Sequence, residues 1–137
     1  MLLPPRDRHY AKSHVWARPE SNGNVRVGFT HVPCAFLGDV VYVELPAPGT
    51  DVVAGEPIGL VESSSAVCEV LSPLSGIVVE VNPALESFPD RITSDPYGGG
   101  WLLAMRPSDP SEVDALLDAA AYARLAADDP AESPTGA

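Results

Sequence analysis

Lysine is almost missing from this chain: Lys12 is the only one in 137 residues. Cations of both kinds number 8 against 19 acids, for a formal charge of −11. A surface that acidic repels phosphate backbones and anionic headgroups, which argues against nucleic acid and membrane as partners. Cysteine is equally scarce. Cys34 and Cys68 stand alone, too few for a disulfide scaffold. No apolar run approaches the roughly 18 residues of a membrane span, because Gly, Pro or a charge interrupts each one, and no N-terminal apolar segment suggests secretion. A cytoplasmic protein is therefore expected. What is present is 45% hydrophobic residues, enough for one ordinary domain with a real core. The charge is uneven, running +3 over residues 1–26, −8 over 27–106 and −6 over 107–137. A basic or neutral partner face fits such a chain.

Residues 1–8 (MLLPPRDR) read as a loose lead-in. Segments 10–18 and 24–29, parted by PESNG, predict a hairpin. The run 30–37 opens on a capping Thr30, carries Pro33 in its first turn and stops at Gly38, which predicts a two-turn helix. In 39–46, Val41, Val43 and Leu45 alternate with Tyr42 and Glu44, the mark of a half-buried strand. Short strands follow at VVAG, 58–62, 67–71 and 77–81, an all-β pattern. Ser63, Ser64, Ser65 and Ala66 join two of them in a tight, exposed tip. A long irregular connection leads to a strand at 101–105. Ser111 then caps a helix whose Val113, Leu116, Leu117, Ala120 and Leu125 share one face. The tail 128–137 lacks large apolar residues and is expected to be disordered and acidic.

The words in this order resemble those of the glycine cleavage system H-protein family, small carriers whose lysine bears lipoic acid. The resemblance spans about residues 9–127. It is carried by Tyr10, Lys12, His14 and Trp16; Val27 and Gly28; LGDVVYVELP at 37–46; Gly49 and Ala54-Gly55; VES at 61–63; SPLSGIVVEVN at 72–82; SDPYGGGW at 94–101; and LLDAAAY at 116–122. It implies a mainly β fold, the lipoyl/biotinyl-type barrel-sandwich of two antiparallel sheets with short helices and a C-terminal helix. The implied partners are the glycine cleavage P, T and L proteins (the pyridoxal-phosphate decarboxylase, the folate-dependent aminomethyltransferase and the dihydrolipoyl dehydrogenase) and lipoate ligase, or equivalents in another pathway.

The resemblance also shows what has changed. The family's hairpin tip reads Glu-Ser-x-Lys-Ala, whereas here it reads Glu62-Ser63-Ser64-Ser65-Ala66. Ser65 holds the lipoyl-lysine position, and a hydroxyl cannot form the lipoyl amide, so no lipoyl cofactor is expected. Lys12 falls in the first strand and cannot substitute. Two positions that in the family help to hold the loaded arm have become Val15 and Val32, while the acid after the lysine survives as Glu69. The leading reading is thus a non-catalytic, non-lipoylated member acting as an interaction protein, or as a repurposed carrier loaded on Ser65 or Cys68. A second reading is an ordinary H protein, an aminomethyl carrier in glycine decarboxylation, whose lysine has been substituted.

A third reading is an enzyme or metal site built from His31, Cys34 and Cys68, with His14 nearby. His31-x-x-Cys34 lacks the paired spacing of a structural zinc site, and a free cysteine commonly serves as a small buried hydrophobe, so packing is the plainer account and no metal is expected. Ser63, Ser64 and Ser65 have no base partner at fixed spacing, which argues against acyl chemistry, and the Asp-Ser-Leu word of phosphopantetheine carriers is absent. The glycines at 98–100 do not open a helix after a strand, so they shape a turn rather than cradle phosphate. The C-terminal acids suit either a solvated helix face or a docking face for a basic partner.

Overall fold

The computed structural model describes residues 3–127. Among these residues, nine strands form two antiparallel sheets. The larger has the order β1-β2-β3-β9-β8-β5: β1 is His9–Tyr10, β2 Val15–Pro19, β3 Val25–Phe29, β5 Asp51–Val52, β8 Gly76–Val81 and β9 Leu103–Pro107. The smaller has the order β4-β6-β7, with β4 Val40–Glu44, β6 Pro57–Ser63 and β7 Val67–Leu71. Between them lies the main core, in which Val15, Ala17, Val25, Val27 and Phe29 of the large sheet share one apolar cluster with Val61 and Val70 of the small one. This is the expected mainly β sandwich.

The large sheet is covered on its other face too. Trp16 belongs to a second cluster with Tyr10, Val32, Tyr122 and Ala126, while its neighbours Val15 and Ala17 belong to the main one. Hence β2 is apolar at consecutive positions, as a strand buried on both faces must be. Space for the Trp16 indole exists because Gly28 stands opposite it in the β2–β3 register; a Cβ there would lie 2.5 Å from the ring.

The hairpin expected over 10–29 exists as β2–β3, but residues 10–18 do not form one strand. The chain turns at 11–14, with the His14 N–H donating to Ala11 O (3.1 Å), and His14 adopts φ 67°. His14 is therefore a turn residue in the left-handed region that side chains rarely occupy. The predicted short helix is α1, His31–Leu37, with the Thr30 hydroxyl accepting from the Val32 N–H and Gly38 at φ 72°.

Further expectations need correction, and the strand expected at VVAG is β5, which ends at Val52. Val41 does not alternate inward: a bulge between Val40 and Tyr42 leaves Val41 61% and Tyr42 49% exposed. The long connection is not wholly irregular, since Asn82 caps a 3₁₀ turn at Pro83–Leu85 and α2 spans Arg91–Ser94. The strand expected at 101–105 starts later, at Leu103. Finally, the C-terminal helix is broken in two, α3 (Ser111–Asp114) and α4 (Ala119–Ala127). Leu117 and Tyr10 exchange both backbone bonds, N–H to O at 2.8 Å each way, which takes Leu117 out of any helix. The capping role expected of Ser111 falls to Asp109, whose carboxylate accepts from the Ser111 N–H (3.0 Å) and hydroxyl (2.7 Å). The tail 128–137 lies outside the described residues. No helix among the described residues is long and apolar enough to cross a membrane.

Candidate functional site: the β6–β7 hairpin tip

β6 and β7 pair from Glu62↔Val67 back to Pro57↔Leu71. At the far end Ser63 is buried and closes the turn. Its N–H donates to Ala66 O (2.8 Å), and its hydroxyl oxygen accepts from the Ala66 N–H (3.0 Å) and the Ser65 N–H (3.3 Å). A serine hydroxyl that takes up turn amides is a local device for fixing a tight loop. Ser64 and Ser65 are left exposed beyond it. The geometry thus presents the side chain of residue 65 to solvent at the end of a paired two-stranded arm. No titratable group is hydrogen-bonded to Ser65 among the described residues, so its hydroxyl has no base to activate it.

The other candidate residues fall in different places. Val15 is fully buried in the main core and Val32 fully buried in the second cluster, so neither side chain reaches solvent. Glu69 is exposed on β7, opposite Leu60. Val15 and Val32 therefore offer no polar group at the surface to an arm, and of the three positions only Glu69 presents its side chain to solvent.

Cys34 on α1 and Cys68 on β7 do approach, since α1 packs on β7 and both thiols rest against the main core. Both are free. The Cys34 thiol donates to Ile92 O (3.2 Å), and burial, with the Cys68 sulfur adding to it, pushes its pKa up to about 12. Burial pushes Cys68 up as well. His31, expected beside them in the enzyme reading, is engaged elsewhere: its Nδ1 lies 2.7 Å from the Tyr97 hydroxyl, which also accepts from the His31 N–H (3.2 Å). Protonated thiols are poor nucleophiles and poor ligands. No cluster of three metal-ligating side chains occurs among the described residues. The Cys/His enzyme or metal reading fails on this geometry.

His14 also serves the fold. Its Nδ1 lies 2.6 Å from the Tyr122 hydroxyl, which is equally close to the Thr30 hydroxyl, tying α4 to the turn before β2 and to the start of α1. Tyr122 stacks on Tyr10 with centroids 4.8 Å apart. Arg8 closes the same region, its guanidinium 4.5 Å above Trp16 and donating to Tyr97 O (2.9 Å). The sequence shows these residues only as separate words, and Tyr97 passes as one letter of a glycine-rich turn. Those glycines do make the turn: the Gly99 N–H donates to the Asp95 carboxylate (2.8 Å), and Asn82 donates to Gly99 O and Trp101 O. Several C-terminal acids likewise have local work. Glu112 accepts from the Ser75 N–H (3.1 Å) and Asp118 from the Ala121 N–H (2.8 Å).

Comparison with known proteins agrees with the layout. The family model described as Glycine cleavage H-protein matches residues 8–129. The chain is 46% identical over 129 residues to the glycine cleavage system H protein of Halorhodospira halophila, covering 94% of this chain and 99% of that one. It is 49% identical over 121 residues to that of Myxococcus xanthus, covering 88% and 93%. The crystal structure of a glycine cleavage system H protein from Mycobacterium marinum superposes with a TM-score of 0.79 at 44% identity, covering 88% of this chain and 97% of that one. Sequence, sheet order and hairpin all lead to one assignment: the chain belongs to the glycine cleavage H-protein family.

Proposed function

We propose that this protein is a glycine cleavage H-protein-like scaffold that carries no lipoyl group and acts by binding the partners of such carriers. As a member of its family it is a carrier-fold protein rather than a catalyst. The observation that carries the proposal is Ser65, exposed at the hairpin tip where the family resemblance expects the lipoyl lysine. A lipoyl amide needs an amine, and the chain's one lysine, Lys12, sits in the turn between β1 and β2. The residues at the tip therefore do not fit the group. Residues 9–127 form the domain that would meet the partners, by resemblance the P, T and L proteins of glycine cleavage or lipoate ligase. Two free thiols suit a reducing compartment, and we place the protein in the cytoplasm.

Intact mass of the protein from its native host, with peptide mapping of 58–71, tests the reading. The bare chain mass is expected. An added mass on Ser65 or Cys68 would overturn it and make the protein a covalent carrier of another group. In vitro, lipoate ligase is expected to leave the wild type unmodified and to lipoylate Ser65→Lys. That variant should still fall short of normal glycine cleavage, because Val15 and Val32 replace arm-holding residues. Full activity would favour an ordinary H protein with a substituted lysine.

A further inference from the structure

The sandwich is open along one side. β4 is an edge strand, bonded only to β6, and no backbone partner lies along its outer edge among the described residues. β8 is half covered. β5 pairs only with Gly76 and Ile77, Gly49 and Thr50 extend the contact to Val78, and beyond Val78 its β5 side carries no backbone partner among the described residues. A groove of about 510 Å³ lies between β4 and the end of β8. It is lined by Val41, Tyr42, Val43 and Leu45 of β4 and its extension on one side, and by Val81 at the end of β8 with Leu85 beyond it on the other.

An exposed edge strand is a template for an added strand, and natural proteins usually cover it or place lysine along it. This edge is uncovered and without lysine, and its one bulge lies at the Val40 end, leaving Tyr42, Val43 and Glu44 in regular pairing with β6. The bulge turns Val41 outward to 61% exposure, so the groove offers an apolar contact together with unused N–H and C=O groups. Charge then selects among occupants. Glu86 is the one charged residue lining the groove, and Glu44 and Glu80 lie on the strands that form its walls. A second copy would bring these acids against their own counterparts at a net −11 each, and the chain's own tail adds Asp128, Asp129 and Glu132. Both are disfavoured by like-charge repulsion.

We propose that the groove between β4 and the end of β8 is a strand-addition site for an extended segment of a partner protein in which apolar residues alternate with Lys or Arg. The segment pairs with the outer edge of β4, sets apolar side chains against Val43 and Leu45 and, at the bulge, against the outward Val41, and turns its cations toward Glu44 and Glu86. The inference does not depend on what residue 65 carries.

A phage-displayed library of random linear peptides, panned on the full chain, is expected to enrich alternating apolar and basic sequences. The enriched peptide, made synthetically, should shift and protect the backbone amides of 41–45 in NMR spectra. Methylating alternate amide nitrogens of that peptide removes donors that strand pairing needs and should weaken binding about tenfold or more. Val41→Lys, at a side chain already exposed, should do the same with unchanged circular dichroism. No enrichment, enrichment of acidic peptides, shifts centred on the Ser65 tip, or undiminished binding of the methylated peptide would each overturn the proposal, as would self-association through β4.

Discussion

Gly28 carries more of the structure than its size suggests. Trp16 stands opposite it across the β2–β3 register and is fully buried, with its six-membered ring over the glycine. A methyl group at 28 would lie 2.5 Å from that ring, and the indole has no room to withdraw because Arg8 packs above it and Nε1 donates to Pro96 O at 3.0 Å. Gly28→Ala is therefore expected to lose about 1–3 kcal/mol of stability, the usual cost of overpacking. Urea unfolding followed by tryptophan fluorescence measures it. A variant as stable as the parent would mean that the second cluster repacks freely. Ser65 is the opposite case: it is exposed, and no buried packing rests on it. The loss of the lysine was legible as a residue identity. The packing role of Gly28 was not, because it depends on which residue stands across the strand pair.

At the scale of elements, local signals were readable and distant ones were not. Thr30 and Gly38 bracket α1 as caps, and the serines between β6 and β7 mark their turn, all within a few residues of the feature they define. The break between α3 and α4 has a distant cause. Its sequence keeps helical periodicity throughout, yet Leu117 pairs its backbone with Tyr10, and Tyr10 stacks on Tyr122 one turn into α4. Val41 misled for a related reason: a strand pattern does not announce a bulge. The groove was invisible in sequence because it arises only where the edges of two sheets come to border the same space. The break leaves α4 needing its own start, and Asp118 supplies it through the Ala121 N–H. Asp118→Ala is expected to cost about 1 kcal/mol and Asp118→Asn far less, since Asn accepts the same bond. Thermal unfolding of the pair tests this, and equal losses would show that charge at the helix start matters more than the cap.

For the whole molecule, the balance of charge decides how it responds to salt. Cations are gathered in the first 26 residues, where Arg8 pairs with Asp7 and both Arg18 and Arg26 reach Glu20. The small sheet lies on the other side of the core. Its strands hold the exposed Glu44 and Glu69 and the half-buried Glu62, with no basic residue among them. A net −11 means that like-charge repulsion outweighs attraction over the surface, and the few ion pairs among the described residues do not reverse this. Raising ionic strength from about 0.01 M to about 0.15 M shortens the screening length from about 30 Å to about 8 Å. The repulsion is then cut more than the short contacts are. The melting temperature is expected to rise by about 2–5 °C, a shift on the order of 1 kcal/mol for a domain of this size. Calorimetry at the two salt concentrations measures it. A fall would place the Glu20 and Arg8 contacts ahead of the acidic surface as the controlling electrostatics. The expected rise would also favour the surface we assign to a basic partner, because a cationic segment laid along β4 relieves the same repulsion that salt screens.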